Sequence, residues 1–212
     1  MTGNSSETSQ LLERVAHGDT SGWGDMLARH RDRLRRMVAL RMDRRLQGRI
    51  DASDVIQEAY LEAWTRLAEY VRNPKMPFFL WLRFLAGQRL VTIHRRHFGV
   101  QMRDPALEVP FPQGGTPGAS SAALAAQLMG HDTRPSEAAM RAELRIQLQD
   151  ALDTMECLDR EILAMRHLEQ LSRAECAHLL DISEAAVSKR YFRALKRLKE
   201  ILGGFSGGEF RR

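Results

Sequence analysis

The sequence predicts an all-α fold, built as two small helical domains joined by a flexible linker. Apolar residues recur at spacings of three and four over most of the chain, and helix-capping residues stand ahead of several of these segments. No stretch of useful length alternates in the manner of a strand. The 212 residues are 43% hydrophobic and 28% charged, which is a globular composition that argues against wholesale disorder.

The N-terminal half contains three predicted helical segments. Leu11 to Leu40 forms the first, with a break at His17-Gly18-Asp19, and Gly48 is expected to end the arginine-rich helix. Asp51 is placed to cap the second, with Asp54 at its third position beside the positive helix end. The apolar stripe of this helix comprises Val55, Ile56, Ala59, Tyr60, Ala63, Trp64 and Leu67.

This second helix is expected to end before Asn73-Pro74, because the residue preceding a proline disfavours helical backbone. Pro77 then restarts a helix at its first turn, and the most apolar segment of the chain follows. Residues 100–137 contain five prolines and a Gly-Gly pair, a linker composition within which Ala122 to Met129 can form a short helix.

The C-terminal half carries the sharpest local signals. Ser172 and Glu175 form a capping box ahead of a short helix. Asp181-Ile182-Ser183 makes a three-residue turn, and Ser183 caps a longer helix. A short helix, a turn of this length and a second helix rich in bases is the layout of a helix-turn-helix.

The charge is unevenly distributed, although the net value is only +5. Nine arginines and two acids lie between Arg29 and Arg49, whereas five acids and one arginine lie between Asp51 and Glu69. Six bases and no acid lie between Ala185 and Lys199. These blocks indicate separate surfaces for partners of opposite sign, with solvated helix faces as the alternative.

The last helix supplies candidate DNA contacts. Its first turns would enter a major groove and its later bases would hold phosphates, which position the helix without reading sequence. The candidate residues are Ser183, Glu184, Ala185, Ser188, Lys189, Arg190, Arg193, Lys196 and Arg197. A plain helical hairpin with a solvated basic face is the alternative.

Other classes of function have little support. No apolar run approaches the roughly 18 residues that a membrane span needs, and no signal peptide starts the chain, so a cytoplasmic protein is expected. Cys157 and Cys176 are too few for a disulfide framework or a four-Cys zinc site and are expected in the core. His94 and His97 lack a third ligand nearby, so no metal is expected. No Gly-rich phosphate loop, HExxH motif or nucleophile elbow occurs, so no cofactor or enzymatic activity is expected.

Taken together, these motifs resemble the bacterial RNA polymerase sigma factors of the extracytoplasmic-function (ECF) type, in the sigma-70 family. Residues 51–60, Asp-Ala-Ser-Asp-Val-Ile-Gln-Glu-Ala-Tyr, resemble the family's D-A-x-D-x-x-Q-E-x-F segment. Residues 78–86 resemble its F-x-x-W-L-x-x-I-A segment, and residues 171–198 match its helix-turn-helix. The resemblance covers about residues 10–99 and 136–202.

The resemblance implies a division of the chain. Residues 1–10 form a polar tail, 11–99 sigma region 2, 100–137 the flexible linker, 138–204 sigma region 4 and 205–212 a second tail. Region 2 is then a helical bundle that binds core polymerase and the minus-ten promoter element. Region 4 holds the helix-turn-helix that reads the minus-35 element.

It also implies partners, namely the β′ clamp and β subunits of core RNA polymerase, promoter DNA, and an anti-sigma or other regulatory protein. The residues implied in core binding are Asp54, Gln57, Glu58 and Leu61. Those on the minus-ten side are Trp81, Arg83, Gln88, Arg89, Thr92, Arg95 and Arg96. Trp81 and Phe79 can instead be core residues. Gln88 and Thr92 depart from the family's usual residues, which leaves the base preference there open.

The function implied is that of an alternative sigma factor that directs promoter recognition, DNA opening and transcription initiation. The first rival is a free-standing helix-turn-helix regulator, which would need neither the acidic motif of residues 51–60 nor the Trp-Leu helix. A helical enzyme and an adaptor protein without a nucleic-acid partner are further alternatives.

Overall fold

The computed structural model describes residues 8, 11–15, 19, 21–98, 108–109, 116–129 and 138–206. Within these residues helices dominate and the strands are only two residues long, which confirms the all-α prediction. No helix in this part of the chain is long and apolar enough to cross a membrane.

Three long helices build the N-terminal half: α1 (Ser21–Arg41), α2 (Ala52–Arg72) and α3 (Phe78–Phe98). Helix α2 begins as predicted, because the Asp51 side chain accepts a hydrogen bond from the Ser53 amide at 2.6 Å and completes a capping box with Asp54. The predicted end before Asn73-Pro74 is also confirmed.

The predicted stop of the first helix at Gly48 is wrong. Helix α1 ends at Arg41 and the chain then passes through turns. Gly48 lies in one of these turns with φ of +102°, a conformation that residues with a side chain disfavour. The glycine therefore marks a turn here and not the end of a helix.

The connection between the halves contains a short antiparallel pair, β1 (Glu108–Val109) and β2 (Thr116–Pro117), and helix α4 (Ser121–Met129). The Thr116 side chain packs so closely on Gly87 of α3 that a Cβ there would lie 2.9 Å from its hydroxyl oxygen. The Ser120 amide donates to the Leu40 carbonyl at 2.9 Å. Residues 116–120 are therefore seated on α1 and α3.

The C-terminal half comprises α5 (Ala138–Asp153), α6 (Cys157–Leu163), a π-helical turn (Ala164–Leu168), α7 (Arg173–Leu180) and α8 (Glu184–Ser206). The predicted capping box is present, with the Glu175 amide donating to Ser172 Oγ at 3.1 Å. Asp181 takes the left-handed conformation at φ +53°, and Ser183 Oγ accepts the Ala186 amide at 3.2 Å. Helices α7 and α8 thus form the predicted helix-turn-helix.

The hydrophobic core runs through both halves. One cluster joins buried residues of α1, α2 and α3 with Ile162, Met165 and Val187 from the C-terminal half. A second cluster joins Leu40 of α1 with residues of α4, α5, α6 and α8. Of the two cysteines predicted in the core, Cys176 is buried, whereas Cys157 is exposed. Burial raises the pKa of the Cys176 thiol to about 12.

Two arginines and two glutamates are buried where the halves meet. Arg41 of α1 lies 2.7 Å from a Glu161 oxygen and 2.5 Å from a Glu169 oxygen. Arg83 of α3 lies 2.7 Å from the other oxygen of Glu169. We refer to these four side chains, whose exposure is 2% or less, as the junction cluster.

His30 of α1 is a buried titratable group that makes the stability of the fold depend on pH. It is 3% exposed and packs against Phe78 and Phe79, with ring centroids 5.8 and 5.4 Å away. Neither imidazole nitrogen has a hydrogen-bond partner within the described residues. Burial lowers the pKa of His30 from 6.5 to about 4, so the folded chain holds this imidazole neutral.

The unfolded chain therefore binds this proton more readily, and stability from His30 is complete above pH 6.5 and declines toward pH 4. We expect the free energy of unfolding to lose up to about 1.4 kcal/mol per pH unit in that window from this residue. His30→Leu should flatten this slope in urea titrations carried out across that pH range. Equal slopes for the wild type and His30→Leu would contradict the assignment.

Candidate protein and nucleic-acid interfaces

Helix α2 presents an apolar groove on its outer face. The groove has a volume of about 480 Å³ and is lined by Trp23, Leu27, Gln57, Tyr60, Leu61 and Trp64. The Trp23 and Trp64 rings lie 5.4 Å apart, and the Tyr60 hydroxyl donates to the Leu27 carbonyl at 2.9 Å. Helices α1 and α2 thus fix the walls of the groove before any partner arrives.

The apolar surface continues along the same helix. Leu61 is 69% exposed, Trp64 44% and Val71 39%. A second groove of about 530 Å³ lies beside Trp64, with Leu67, Ala68 and Val71 among its lining residues. We call the exposed row Leu61, Trp64, Ala68 and Val71 the α2 apolar strip. Contiguous exposed apolar surface of this kind is typical of interaction sites, protein-binding surfaces among them.

The four residues implied in core binding lie on or beside this surface. Gln57 and Leu61 line the first groove. Asp54 and Glu58 are exposed on the same helix, with Asp54 Oδ2 accepting the Asp51 amide in the capping box at 3.2 Å. An apolar strip flanked by carboxylates suits a partner helix that carries apolar and basic side chains.

Two of the minus-ten candidates are buried in this conformation. Trp81 is 6% exposed and stacks on Tyr70, with centroids 4.4 Å apart, so it acts as a core residue here. Phe79 is also buried. Arg83 is 1% exposed and bound by Glu169, so it is closed to phosphate while the halves are together. Composition does not reveal which arginine of a basic segment is the buried one.

The remaining minus-ten candidates lie nearer the surface of α3. Arg95, Arg96 and Thr92 are exposed, and the Thr92 hydroxyl donates to the Gln88 carbonyl at 2.9 Å. Gln88 is half-buried. Arg89 is half-buried and bound to Glu62 of α2 at 2.9 Å. The exposed polar end of α3 is therefore the part of this helix that can meet DNA without rearrangement.

His94 does not pair with His97 as a metal site. It is buried, and its Nε2 accepts the Asp43 amide at 3.4 Å. Within the described residues no three His, Cys, Asp or Glu side chains are grouped to hold a metal ion.

Helix α8 displays its first turns to solvent. Ser183, Glu184, Ala185 and Lys189 are exposed and Ser188 is half-buried, so the face predicted to enter a groove is accessible to solvent. Lys196 and Arg197 are exposed further along the helix. Lys196 lies 3.7 Å from Glu200, and Arg197 donates to the Thr154 carbonyl at 3.3 Å.

Arg190 and Arg193 have a structural role that the sequence did not indicate. Arg190 lies 2.9 Å and Arg193 2.7 Å from Asp159 of α6, and both lie 3.1 Å from Glu156. Burial would raise the pKa of Asp159, but its bonds to Arg193 and Arg190 lower it. Both arginines therefore hold α8 to α6, and a phosphate would have to compete with two carboxylates.

No sequence motif indicated Trp23 as part of a site, and Trp64 was predicted only as a member of the apolar stripe of α2, not as facing outward. The stripe of α2 is wider than one buried face, and a tryptophan at its margin gives no signal of its own. The signal that the sequence does offer is an angular separation around the helix axis: Leu61, Trp64 and Val71 lie to one side of the buried row Ala59, Ala63 and Leu67.

Comparison with known proteins matches both halves of the chain. The family model "Sigma-70, region 4" matches residues 145–198, the segment that contains α6, α7 and most of α8. The ECF RNA polymerase sigma factor SigW of Bacillus subtilis is 22% identical over 192 residues, covering 90% of this chain and 94% of that protein. SigD of Mycobacterium bovis is 28% identical over 190 residues, covering 90% and 81%.

A solved structure has the same fold. It is the structure of CnrH, a sigma factor of Cupriavidus metallidurans, in complex with the cytosolic domain of CnrY. It superimposes with a TM-score of 0.54 at 20% identity and covers 93% of this chain and 98% of that one.

The bonds from Asp159 predict a measurable contribution to stability. Asp159→Asn removes the negative charge that Arg190 and Arg193 share, and we expect it to lower the free energy of unfolding by about 1–3 kcal/mol. Asp153→Asn is the matched control, because Asp153 is exposed and lies 3.8 Å from its arginine partner. Urea unfolding of both variants tests this. A loss no larger for Asp159→Asn than for Asp153→Asn would refute it.

Proposed function

The chain belongs to the ECF type of sigma-70 factors, and we propose on this premise that it binds core RNA polymerase and directs it to the promoters of a specific regulon. The observation that carries the proposal is the α2 apolar strip with its flanking carboxylates, in the same chain as a helix-turn-helix. A free-standing regulator would need only the helix-turn-helix and would leave this strip unexplained.

The first step is binding to core polymerase. The α2 surface would receive the clamp helices of the β′ subunit, with Leu61 in the apolar contact and Gln57 and Glu58 bonding to basic side chains. Charge-assisted hydrogen bonds at the rim then set the register of the helices, and the buried apolar strip supplies the affinity.

The second step is promoter recognition. The exposed end of α3, with Thr92, Arg95 and Arg96, would bind the minus-ten side, where single-stranded bases become accessible once the duplex opens. The first turns of α8 would enter the major groove of the minus-35 element. Residues 11–99 and 138–204 thereby act as two readers on one tether, and linking two modest sites raises the overall affinity.

We further propose that the chain is an initiation factor without catalysis of its own and that it works in the cytoplasm, where core polymerase and promoters lie. An anti-sigma or other regulatory protein is the expected third partner. A protein that covers the α2 apolar strip would exclude core polymerase from it.

Run-off transcription with purified core polymerase and the promoter upstream of its own gene tests the function. We expect a stable complex with core and a specific transcript. In the same assay Gln57→Ala with Glu58→Lys should weaken core binding by at least about tenfold, roughly 1.4 kcal/mol, because it places a base against a basic partner.

Binding to free DNA should stay unchanged in that double variant. Glu69→Lys is the matched control, since Glu69 is exposed on α2 outside the two grooves. The absence of both complex and transcript would refute the sigma-factor function. Unchanged core affinity of the double variant in a pull-down would refute only the assigned surface.

Two lysines of α8, Lys189 and Lys196, should separate base reading from phosphate binding. Lys189→Ala should cost about 1–3 kcal/mol on the preferred minus-35 sequence and little on others. Lys196→Ala should weaken binding to all sequences alike and lower the salt slope by about 1. Titrations at several salt concentrations, on matched and mutated duplexes, measure both effects. The reverse assignment would show that the opposite face of α8 enters the groove.

A further inference from the structure

The junction cluster is balanced in charge and closed to water. Its two guanidinium groups and two carboxylates are 2% exposed or less. Glu169 is its centre, because one of its oxygens meets Arg41 and the other meets Arg83. Burial alone would raise the pKa of Glu169, but Arg41 and Arg83 lower it to about 2, so the carboxylate is ionised at neutral pH.

An irregular backbone directs Glu169 into this position. The π-helical turn of residues 164–168 ends directly before it, and Gln170, which follows it, has φ of +56°. Single π turns and left-handed residues other than glycine carry a conformational cost. Arg33 of α1 fastens the turn by donating to the Glu169 and Gln170 carbonyls at 3.1 and 3.3 Å.

In the closed arrangement the two DNA-binding surfaces lie too close together to reach both promoter elements at once. From Glu169 the chain reaches Ser183 through α7 and a few extended residues, and α3 runs about 20 Å from Arg83 to Arg96. The start of α8 therefore lies at most about 60 Å from the exposed end of α3. The minus-ten and minus-35 elements, as their names state, are separated by about 25 base pairs, or roughly 85 Å at about 3.4 Å per pair. The two readers must therefore move apart before both can bind one promoter.

We propose that Glu169 is a latch that holds the free chain closed by binding Arg41 and Arg83, and that the chain must release it to engage a promoter. This inference rests on the proposed function for the need to open. The closed state itself, and the role of Glu169 in it, do not depend on that function.

An ionic latch suits a contact that must open and close. When the halves separate, water hydrates all four charges, which offsets much of the attraction that is lost. The apolar residues that join the halves around the latch have no such compensation, so binding to core polymerase and promoter DNA must supply the free energy that exposes them. Opening also exposes Arg83, which then becomes available to a phosphate on the minus-ten side. Release of the latch and binding of DNA are therefore coupled through one residue.

Distance measurements by electron spin resonance on the full chain test the latch. Nitroxide labels go on Lys75→Cys and Lys199→Cys, which are exposed positions in the two halves, with Cys157→Ser to remove the exposed native thiol. Cys176 is buried, and Cys176→Ala removes this second native thiol so that only the two introduced cysteines carry labels. The free chain should give one short, narrow distance distribution, and the complex with core and promoter DNA a longer one.

Glu169→Gln should shift the distribution of the free chain to longer and broader distances, because Arg83 loses its carboxylate in a buried place. Glu143→Gln is the matched control, with the same loss of charge at an exposed position in the same half, and should behave as the wild type. Where Glu169→Gln does not fold, Glu169→Asp serves instead. It keeps the charge but shortens the reach, and should give an intermediate distribution.

Two outcomes would overturn the latch: a long, broad distribution for the free wild type, or a Glu169 variant indistinguishable from wild type. A short distance that persists on promoter DNA would overturn the need to open. A chain that neither binds core nor yields a transcript would remove the proposed function, yet the free-chain distances would still decide whether Glu169 closes the molecule.

Discussion

The arrangement of the molecule depends on a carboxylate held between two arginines. Glu169 meets Arg41 of α1 and Arg83 of α3, while Glu161 binds the other side of Arg41. Glu161 also accepts the Ala119 amide, so the same cluster fastens the connecting segment. Without these contacts the apolar residues around them would still pack, and Arg33 would still bind the Glu169 and Gln170 carbonyls, but the buried ion pairs between the two halves would be lost.

Local features were predictable because they depend on residues only a few positions apart. The caps at Asp51 and Ser172, the helix end before Pro74 and the left-handed Asp181 each follow from the chemistry of neighbouring residues. The junction cluster was not predictable in this way. Arg83 and Glu169 are 86 positions apart, and a sequence with many arginines and acids allows too many pairs of that kind. The same ambiguity hides from the sequence that Arg83 is buried against Glu169 in this conformation.

The surfaces also combine features that the sequence predicts with features that only the structure shows. The acidic and amide residues of α2 were identified from their motif, and the structure adds the apolar strip that they border. A charge pattern reports the rim of an interface, since charged residues are excluded from its centre. Whether Trp64 faces inward or outward depends on where α1 and α3 lie, which a helical period alone does not specify.

The junction cluster also limits how freely the two halves can be exchanged between related proteins. Arg41 and Arg83 belong to one half, and Glu161 and Glu169 to the other. A hybrid that joined this N-terminal half to a foreign helix-turn-helix would retain both arginines without the carboxylates that neutralise them. Burying an uncompensated charge costs about 3–5 kcal/mol. In such a chimaera each domain would be intact, but the packing of one domain against the other would be destabilised. The modularity suggested by a two-domain layout is therefore conditional on four charged residues being inherited as a set.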